Sequence, residues 1–264
     1  MPQIRACVSV LAVSQTGSAA CMGMNMINSE RIIAFIDSFD KGNTPLLNEI
    51  EREAKADGVP VIRPATQQLL RFLMAAHKPM RILEVGTGVG FSALLMKEYA
   101  PEGCQITTIE KYEKRIPKAR ENFARAGQDK AITLLAGEAA DILQDLEDSF
   151  DFIFMDAAKG QYIHFLTDVV RLLKGGGLLV SDNVLQDGDV LESRFAVTRR
   201  NRTIHARMRE YLYALTHHSL LETVILPVGD GIALSTKTGG GVCPEGEADK
   251  AGGREKGMGA YEET

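Results

Sequence analysis

The chain has 264 residues, 45% hydrophobic and 25% charged, with a net charge of −5 and a pI near 5.6. This is ordinary for a soluble globular protein of one large or two small domains, and it gives no overall basic signature of nucleic-acid binding, although a local patch can hide in an acidic total. The four cysteines (Cys7, Cys21, Cys104, Cys243) are scattered without paired spacing, which excludes a disulfide framework or a zinc site and fits a reducing, cytoplasmic interior.

Residues 1–24 carry one early Arg5 and a short apolar run, Cys7–Val13, broken up by Ser9 and Ser14. That is too weak for a secretion signal, and the segment reads as a disordered arm. No stretch approaches the ~20 apolar residues of a membrane span. The domain is expected over residues 25–237. It opens with helices from Asn28, over about Thr44–Ala56, and from Ala65 to His77, which are expected to cover one edge of a ligand pocket. Their apolar positions, among them Ile32, Phe35, Leu46 and Ile50, recur at helical spacing.

The stretch Arg81–Ser92, R-I-L-E-V-G-T-G-V-G-F-S, organises the rest of the chain. A short apolar run, three alternating glycines and a new helical pattern predict strand, glycine turn and helix. Such a turn lets a ligand approach the main chain at the positive end of a helix. The next strand, Gln105–Glu110, ends in an acid 24 positions after Gly86. At about that distance, roughly 20 residues, an acid in a nucleotide-binding βαβ unit meets a ribose. The alternation continues: helix Glu113–Ala126, strand Ala131–Ala136, helix Ala139–Leu146, strand Phe150–Asp156, helix Tyr162–Leu173, strand Gly177–Asp182 and a long helix around Arg199–Thr216. It predicts an α/β, Rossmann-like, doubly wound sheet. Leu220–Pro227 and Gly231–Lys237, joined by Val228-Gly229-Asp230, predict a closing antiparallel hairpin, unlike a standard dinucleotide dehydrogenase. Residues 238–264 hold six acids, three bases and almost nothing apolar, and read as a disordered tail.

Ligands in such sheets bind beyond the carboxyl ends of the strands. Glu84 and Gly86, Glu110, Gly137-Glu138, Asp156 and Asp182-Asn183 stand at those ends. Asp156, Asp182 and Asn183 form an all-oxygen set that suits a hard divalent cation such as Mg²⁺. Lys159 can reach the same spot as a base or electrostatic clamp. Taken singly, these residues also read as a helix cap, a turn and a surface lysine.

Together they resemble the metal-dependent, catechol-type O-methyltransferases of the class I, S-adenosylmethionine-dependent fold. The resemblance rests on E-V-G-T-G-V-G-F-S, I-E-K, D-A-A-K and D-N-V-L, and spans about Arg31–Lys237. Within that family the bacterial enzymes acting on 5-hydroxyuridine in tRNA are the nearest look-alike. D-A-A-K-G-Q-Y, D-N-V-L, R-R-N-R at 199–202 and I-L-P-V-G-D-G-I-A-L-S carry that likeness. The resemblance implies that Glu84, Gly86 and Ser92 line the methionine end of the cofactor and that Glu110 takes the ribose. Gly137 and Ala139 lie by the adenine, Ala139 standing where the family often has a hydroxyl. Asp156, Asp182 and Asn183 bind Mg²⁺ or a similar ion, Asp156 bordering the cofactor as well, and Lys159 is the general base. It also implies a homodimer.

A catechol and 5-hydroxyuridine both offer two vicinal oxygens, so the motifs do not choose between them. The first expectation is methylation of 5-hydroxyuridine in tRNA to 5-methoxyuridine, with phosphate contacts from Arg199, Arg200, Arg202 and Arg207 on the long helix. The alternatives are a methyltransferase of catechol-like small molecules, a nicotinamide-dependent oxidoreductase, and a non-catalytic RNA-binding protein of this fold.

Overall fold

The computed structural model describes residues 30–193 and 195–239. The arm over residues 1–24, Arg194 and the tail beyond Gly239 lie outside the described residues. The chain divides into two units, one ending at Lys41 and one beginning at Gly42. The first holds helix α1 (Glu30–Asp37), where Phe35 meets Phe39 edge to face with ring centroids 5.0 Å apart.

The second unit opens with α2 (Pro45–Ala56) and α3 (Pro64–His77), each with a proline in its first turn, where the missing N–H has no intrahelical partner to lose. Then come β1 (Arg81–Val85), α4 (Phe91–Tyr99), β2 (Gln105–Glu110), α5 (Ile116–Arg125), β3 (Ile132–Ala136), α6 (Ala139–Asp145), β4 (Phe150–Met155), α7 (Tyr162–Leu172), β5 (Leu173–Ser181), α8 (Arg202–Thr216), β6 (Leu221–Leu226) and β7 (Ile232–Lys237). The strands form one sheet in the order β3-β2-β1-β4-β5-β7-β6. The first five are parallel; β7 runs antiparallel between β5 and β6. This is the doubly wound sheet with a closing hairpin that the sequence predicts. The chain winds outward from β1 to one edge and then restarts at β4 on the other side. The carboxyl ends of β1 and β4 therefore border the crevice where such sheets hold ligands.

Successive residues of a strand face opposite sides, and the core follows that rule. Ile82, Ile106, Phe152 and Phe154 pack under α2–α5. Leu83, Val85, Ile153 and Met155 pack under α6–α8. Each such side chain withdrawn from water stabilises the fold by roughly 1.5–3 kcal/mol before the entropy of ordering it. Among the described residues no helix is long and apolar enough to cross a membrane.

Three boundaries differ from the sequence reading. α5 starts at Ile116 instead of Glu113, because the ring of Pro117 would collide with the carbonyl four residues back, that of Glu113. β5 begins at Leu173, with an irregularity in its pairing between Phe150 and Phe152. α8 begins at Arg202: Asn201 donates its N–H to Thr198 O at 2.9 Å and accepts the first helical bond from His205. Arg199 and Arg200 thus sit in a turn, off the helix on which the sequence reading placed them.

Candidate active site

A cleft of about 1010 Å³ opens at the carboxyl ends of β1, β2 and β4. Gly86, Ser92, Glu110, Gly137, Ala139, Asp156, Lys159 and Asn183 line it. Eight of the expected site residues therefore face one space. Glu84 and Asp182 do not line it; both are buried beneath, 0% and 1% exposed.

The glycine turn is built tightly against the next strand of the site. Gly86 has φ +103°, and a Cβ there would lie 2.2 Å from the Asp156 carbonyl oxygen. Glu110 grips the turn from β2, accepting the Gly88 N–H on one carboxylate oxygen and the Tyr112 N–H on the other, both at 2.8 Å. Under the turn, Glu84 accepts hydrogen bonds from the hydroxyls of Ser92 and of Thr108, the latter at 2.5 Å. The Thr108 hydroxyl also lies 2.6 Å from that of Thr87. Burial, against the pull of those hydroxyls, pushes the Glu84 carboxyl up to about 8. Glu84 is thus a buried brace beneath Ser92 and, through Thr108, beneath the cleft-lining Thr87.

At the other end of the cleft, Lys159 stands in a short 3₁₀ turn (Lys159–Gln161) after β4. Its ammonium donates to Asp156 Oδ1 at 2.7 Å and to the Tyr162 hydroxyl at 3.0 Å. Asp182 Oδ1 accepts the Asn183 N–H at 2.8 Å, with Thr66 Oγ1 at 3.4 Å. Burial, and then the negative charge of Asp156, raise the Asp182 carboxyl to about 6. Asn183 holds φ +56°. Among the described residues no three His, Cys, Asp or Glu side chains gather as a metal cluster. Two neighbouring carboxylates and an amide oxygen make an all-oxygen donor set that fits a hard cation, with the Lys159 ammonium drawn to one of the acids.

The rim beyond Asn183 is held by residues the sequence reading did not single out. Arg63, just before α3, pairs with Asp187 Oδ1 at 2.5 Å and approaches Asp230 Oδ2 at 3.9 Å. Asp230 accepts the Asp187 N–H, and Asn201 donates to Asp189 Oδ2 at 3.0 Å. Thr108 and Tyr162 were readable: one alternates inward along β2, the other closes D-A-A-K-G-Q-Y. The Arg63–Asp187 pair spans 124 residues and leaves no local trace.

The arginines of α8 are mostly engaged within the fold. Arg207 donates to Gly160 O at 3.1 Å, Arg209 to Val190 O at 2.9 Å and Arg202 to Val197 O at 3.3 Å. Each ties a neighbouring loop to the helix, whereas Arg199 and Arg200 are exposed.

A model of the O-methyltransferase family matches residues 37–238. The chain belongs to the O-methyltransferase family. It is an S-adenosylmethionine-dependent O-methyltransferase, and neither the nicotinamide-dependent nor the non-catalytic reading survives. The catechol O-methyltransferase of Mycobacterium tuberculosis is 34% identical over 224 residues, covering 81% of this chain and 99% of that protein. A caffeoyl-CoA O-methyltransferase of Stellaria longipes is 29% identical, over 64% of this chain and 73% of its own. Among solved structures, the cofactor-bound Rv0187 from MTB aligns with a TM-score of 0.69 and 28% identity, covering 78% of this chain and 95% of that one. The S-adenosylhomocysteine-bound methyltransferase PaMTH1 of Podospora anserina shares the fold, with a TM-score of 0.74 at 24% identity over 84% of this chain and all of its own.

Proposed function

We propose that this O-methyltransferase acts on a small catechol-type acceptor in the cytoplasm, with a divalent cation assisting. The observation that carries this reading is the pairing of Lys159 with Asp156 at 2.7 Å on a cleft shared with the glycine turn. The donor's methyl group needs no activation by the protein, because the sulfonium already makes it electrophilic. The remaining task is to hold a deprotonated oxygen in line with the C–S bond. Asp156, Asp182 and Asn183 are the residues that would hold Mg²⁺ or a similar ion. Such an ion, when bound, supplies Lewis acidity toward two vicinal oxygens. Lys159 Nζ, in its neutral form, takes the hydroxyl proton as the oxygen attacks the methyl carbon and S-adenosylhomocysteine departs. Ser92, Glu110, Gly137 and Ala139 hold the donor along the opposite half of the cleft. The names of the relatives, catechol and caffeoyl-CoA O-methyltransferases, support a small acceptor. A homodimer is proposed with it, to be checked by sedimentation equilibrium.

One observation favours a second reading, 5-hydroxyuridine in tRNA. Arg199 and Arg200 are exposed directly before Asn201, which lines the cleft, and such arginines suit phosphates. The test is mass spectrometry after incubation with S-adenosylmethionine, Mg²⁺ and either catechol or tRNA containing 5-hydroxyuridine. Monomethylated catechol is expected. Conversion of the tRNA alone to 5-methoxyuridine replaces the first reading with the second, and the Arg199→Glu, Arg200→Glu protein then loses that reaction.

A further inference from the structure

The hydroxyl of Tyr162 lies where three parts of the site meet. It accepts a hydrogen bond from Lys159 Nζ at 3.0 Å. Two backbone carbonyls lie in reach of its proton, Met155 O at 2.9 Å and Asp182 O at 3.2 Å. Met155 is the last residue of β4, directly before Asp156, and Asp182 follows the last residue of β5. One buried oxygen therefore connects the amine to the two strand ends from which both candidate metal-binding acids emerge.

The surroundings leave this oxygen little freedom. Tyr162 is fully buried in the core cluster of α7 and α8, and its ring meets that of Tyr211 edge to face, centroids 5.3 Å apart. The two carbonyls in reach make this hydroxyl a donor to the backbone. With its proton turned to a backbone carbonyl, its lone pair is left for the ammonium. Without that acceptor, Asp156 is, among the described residues, the one side-chain acceptor within hydrogen-bond reach of Lys159. The amine would then collapse onto the carboxylate and away from the acceptor oxygen.

We propose that Tyr162 is a positioning residue for methyl transfer, its hydroxyl holding Lys159 off Asp156 and in register with the ends of β4 and β5. The proposal rests on Lys159 being the proton acceptor, and the experiment separates the two. Tyr162→Phe, Lys159→Met, the double variant and Tyr211→Phe are assayed on catechol with S-adenosylmethionine and Mg²⁺. Binding of S-adenosylhomocysteine is measured calorimetrically to count folded sites. Tyr211→Phe is the matched control: its hydroxyl is equally buried and lies 2.7 Å from Ser181 Oγ, with no contact to Lys159.

Displacement of a reacting group by about 1 Å costs up to ~100-fold, so kcat of Tyr162→Phe per folded site is expected to fall roughly 10- to 100-fold. KM for catechol and the affinity for S-adenosylhomocysteine are expected to stay within about twofold, and Tyr211→Phe is expected to keep its kcat. The double variant is expected to be no slower than Lys159→Met alone, because a residue acting through another adds nothing once that other is gone. Unchanged kcat in Tyr162→Phe overturns the proposal. So does a loss that multiplies with Lys159→Met, or one accompanied by lost S-adenosylhomocysteine binding, since the hydroxyl then serves the fold alone. An active Lys159→Met protein removes the lysine reading itself, and the proposal with it.

Discussion

Replacing Gly86 by alanine tests the central geometric claim about the site, that the glycine turn and the Asp156 backbone are packed against each other. At φ +103° an alanine carries strain of about 1–3 kcal/mol. Its Cβ would also stand 2.2 Å from the Asp156 carbonyl oxygen and 2.8 Å from the carbonyl carbon. These are backbone atoms just beyond the paired ends of β1 and β4 and cannot rotate aside, so overpacking adds roughly 1–3 kcal/mol. The sum, about 2–6 kcal/mol, corresponds to a fall in Tm of about 4–24 °C at ~2–4 °C per kcal/mol for a unit of this size. Because the atoms that yield belong to Asp156, calorimetric binding of S-adenosylhomocysteine should weaken with it. Gly88→Ala is the internal reference. It has φ +57° and nothing within 4 Å of the added Cβ, so it carries strain alone, about 1–2 kcal/mol. Thermal scans of the two variants decide the matter. If Gly86→Ala is no less stable than Gly88→Ala and binds S-adenosylhomocysteine like the parent, the reasoning from contact is wrong.

Burial keeps Glu84 protonated up to about 8, whereas an unfolded glutamate titrates near ~4.3. Between those values the folded protein holds a proton the unfolded chain has lost, so this carboxyl's contribution to stability falls as pH rises through the window. The Tm difference between the parent and Glu84→Gln should therefore shift against the parent from about pH 5 to about pH 8, and a constant difference refutes it. Arg63→Ala removes an ion pair whose partners are 47% and 77% exposed, worth ~0–1 kcal/mol. Its Tm should hold within about 2 °C while KM for catechol rises because the rim loses its tie; a large Tm loss with unchanged KM contradicts this. Chelation by EDTA should abolish methylation, and calorimetric titration with Mg²⁺ should show binding that Asp156→Asn lacks. Full activity in EDTA removes the cation from the mechanism.

The features legible in the sequence have a common physical origin. The strand cores around Ile82–Val85 and Phe152–Met155, the glycines after β1 and the acids at strand ends are all local signals, set by side-chain period or by backbone freedom. Gly86, Glu110, Gly137, Asp156 and Asn183 could be placed on one cleft because a parallel sheet brings its strand ends together, Lys159 because it stands three residues after Asp156, and Ser92 and Ala139 through the family resemblance. The misjudged start of α5 was also local, and Pro117 could have corrected it. The features that stayed hidden depend on long-range pairing or on depth. No spacing rule announces that Arg63 meets Asp187, or that Arg207 reaches Gly160. Nor does one say that Glu84 and Asp182 sit under the floor of the cleft and not on it. The likeness in R-R-N-R at 199–202 suggested a basic surface, but the fold hands three of the neighbouring arginines to loop carbonyls.

The closing hairpin has a consequence for how the enzyme is made. The Val184 N–H donates to Gly231 O and the Leu185 N–H to Asp230 O, each at 3.0 Å, so the segment after Asp182-Asn183 is pinned by residues nearly fifty positions downstream. A nascent chain released only as far as α8 would already have the glycine turn, Glu110 and Lys159, and the ties of Arg63 to Asp187 and Asn201 to Asp189, but not the hairpin bonds that hold Val184 and Leu185 beside Asn183. The donor half of the cleft can therefore exist before the acceptor half is complete, and the acceptor half is completed when β7 enters between β5 and β6. During synthesis, the capacity to bind the methyl donor should precede the capacity to use it.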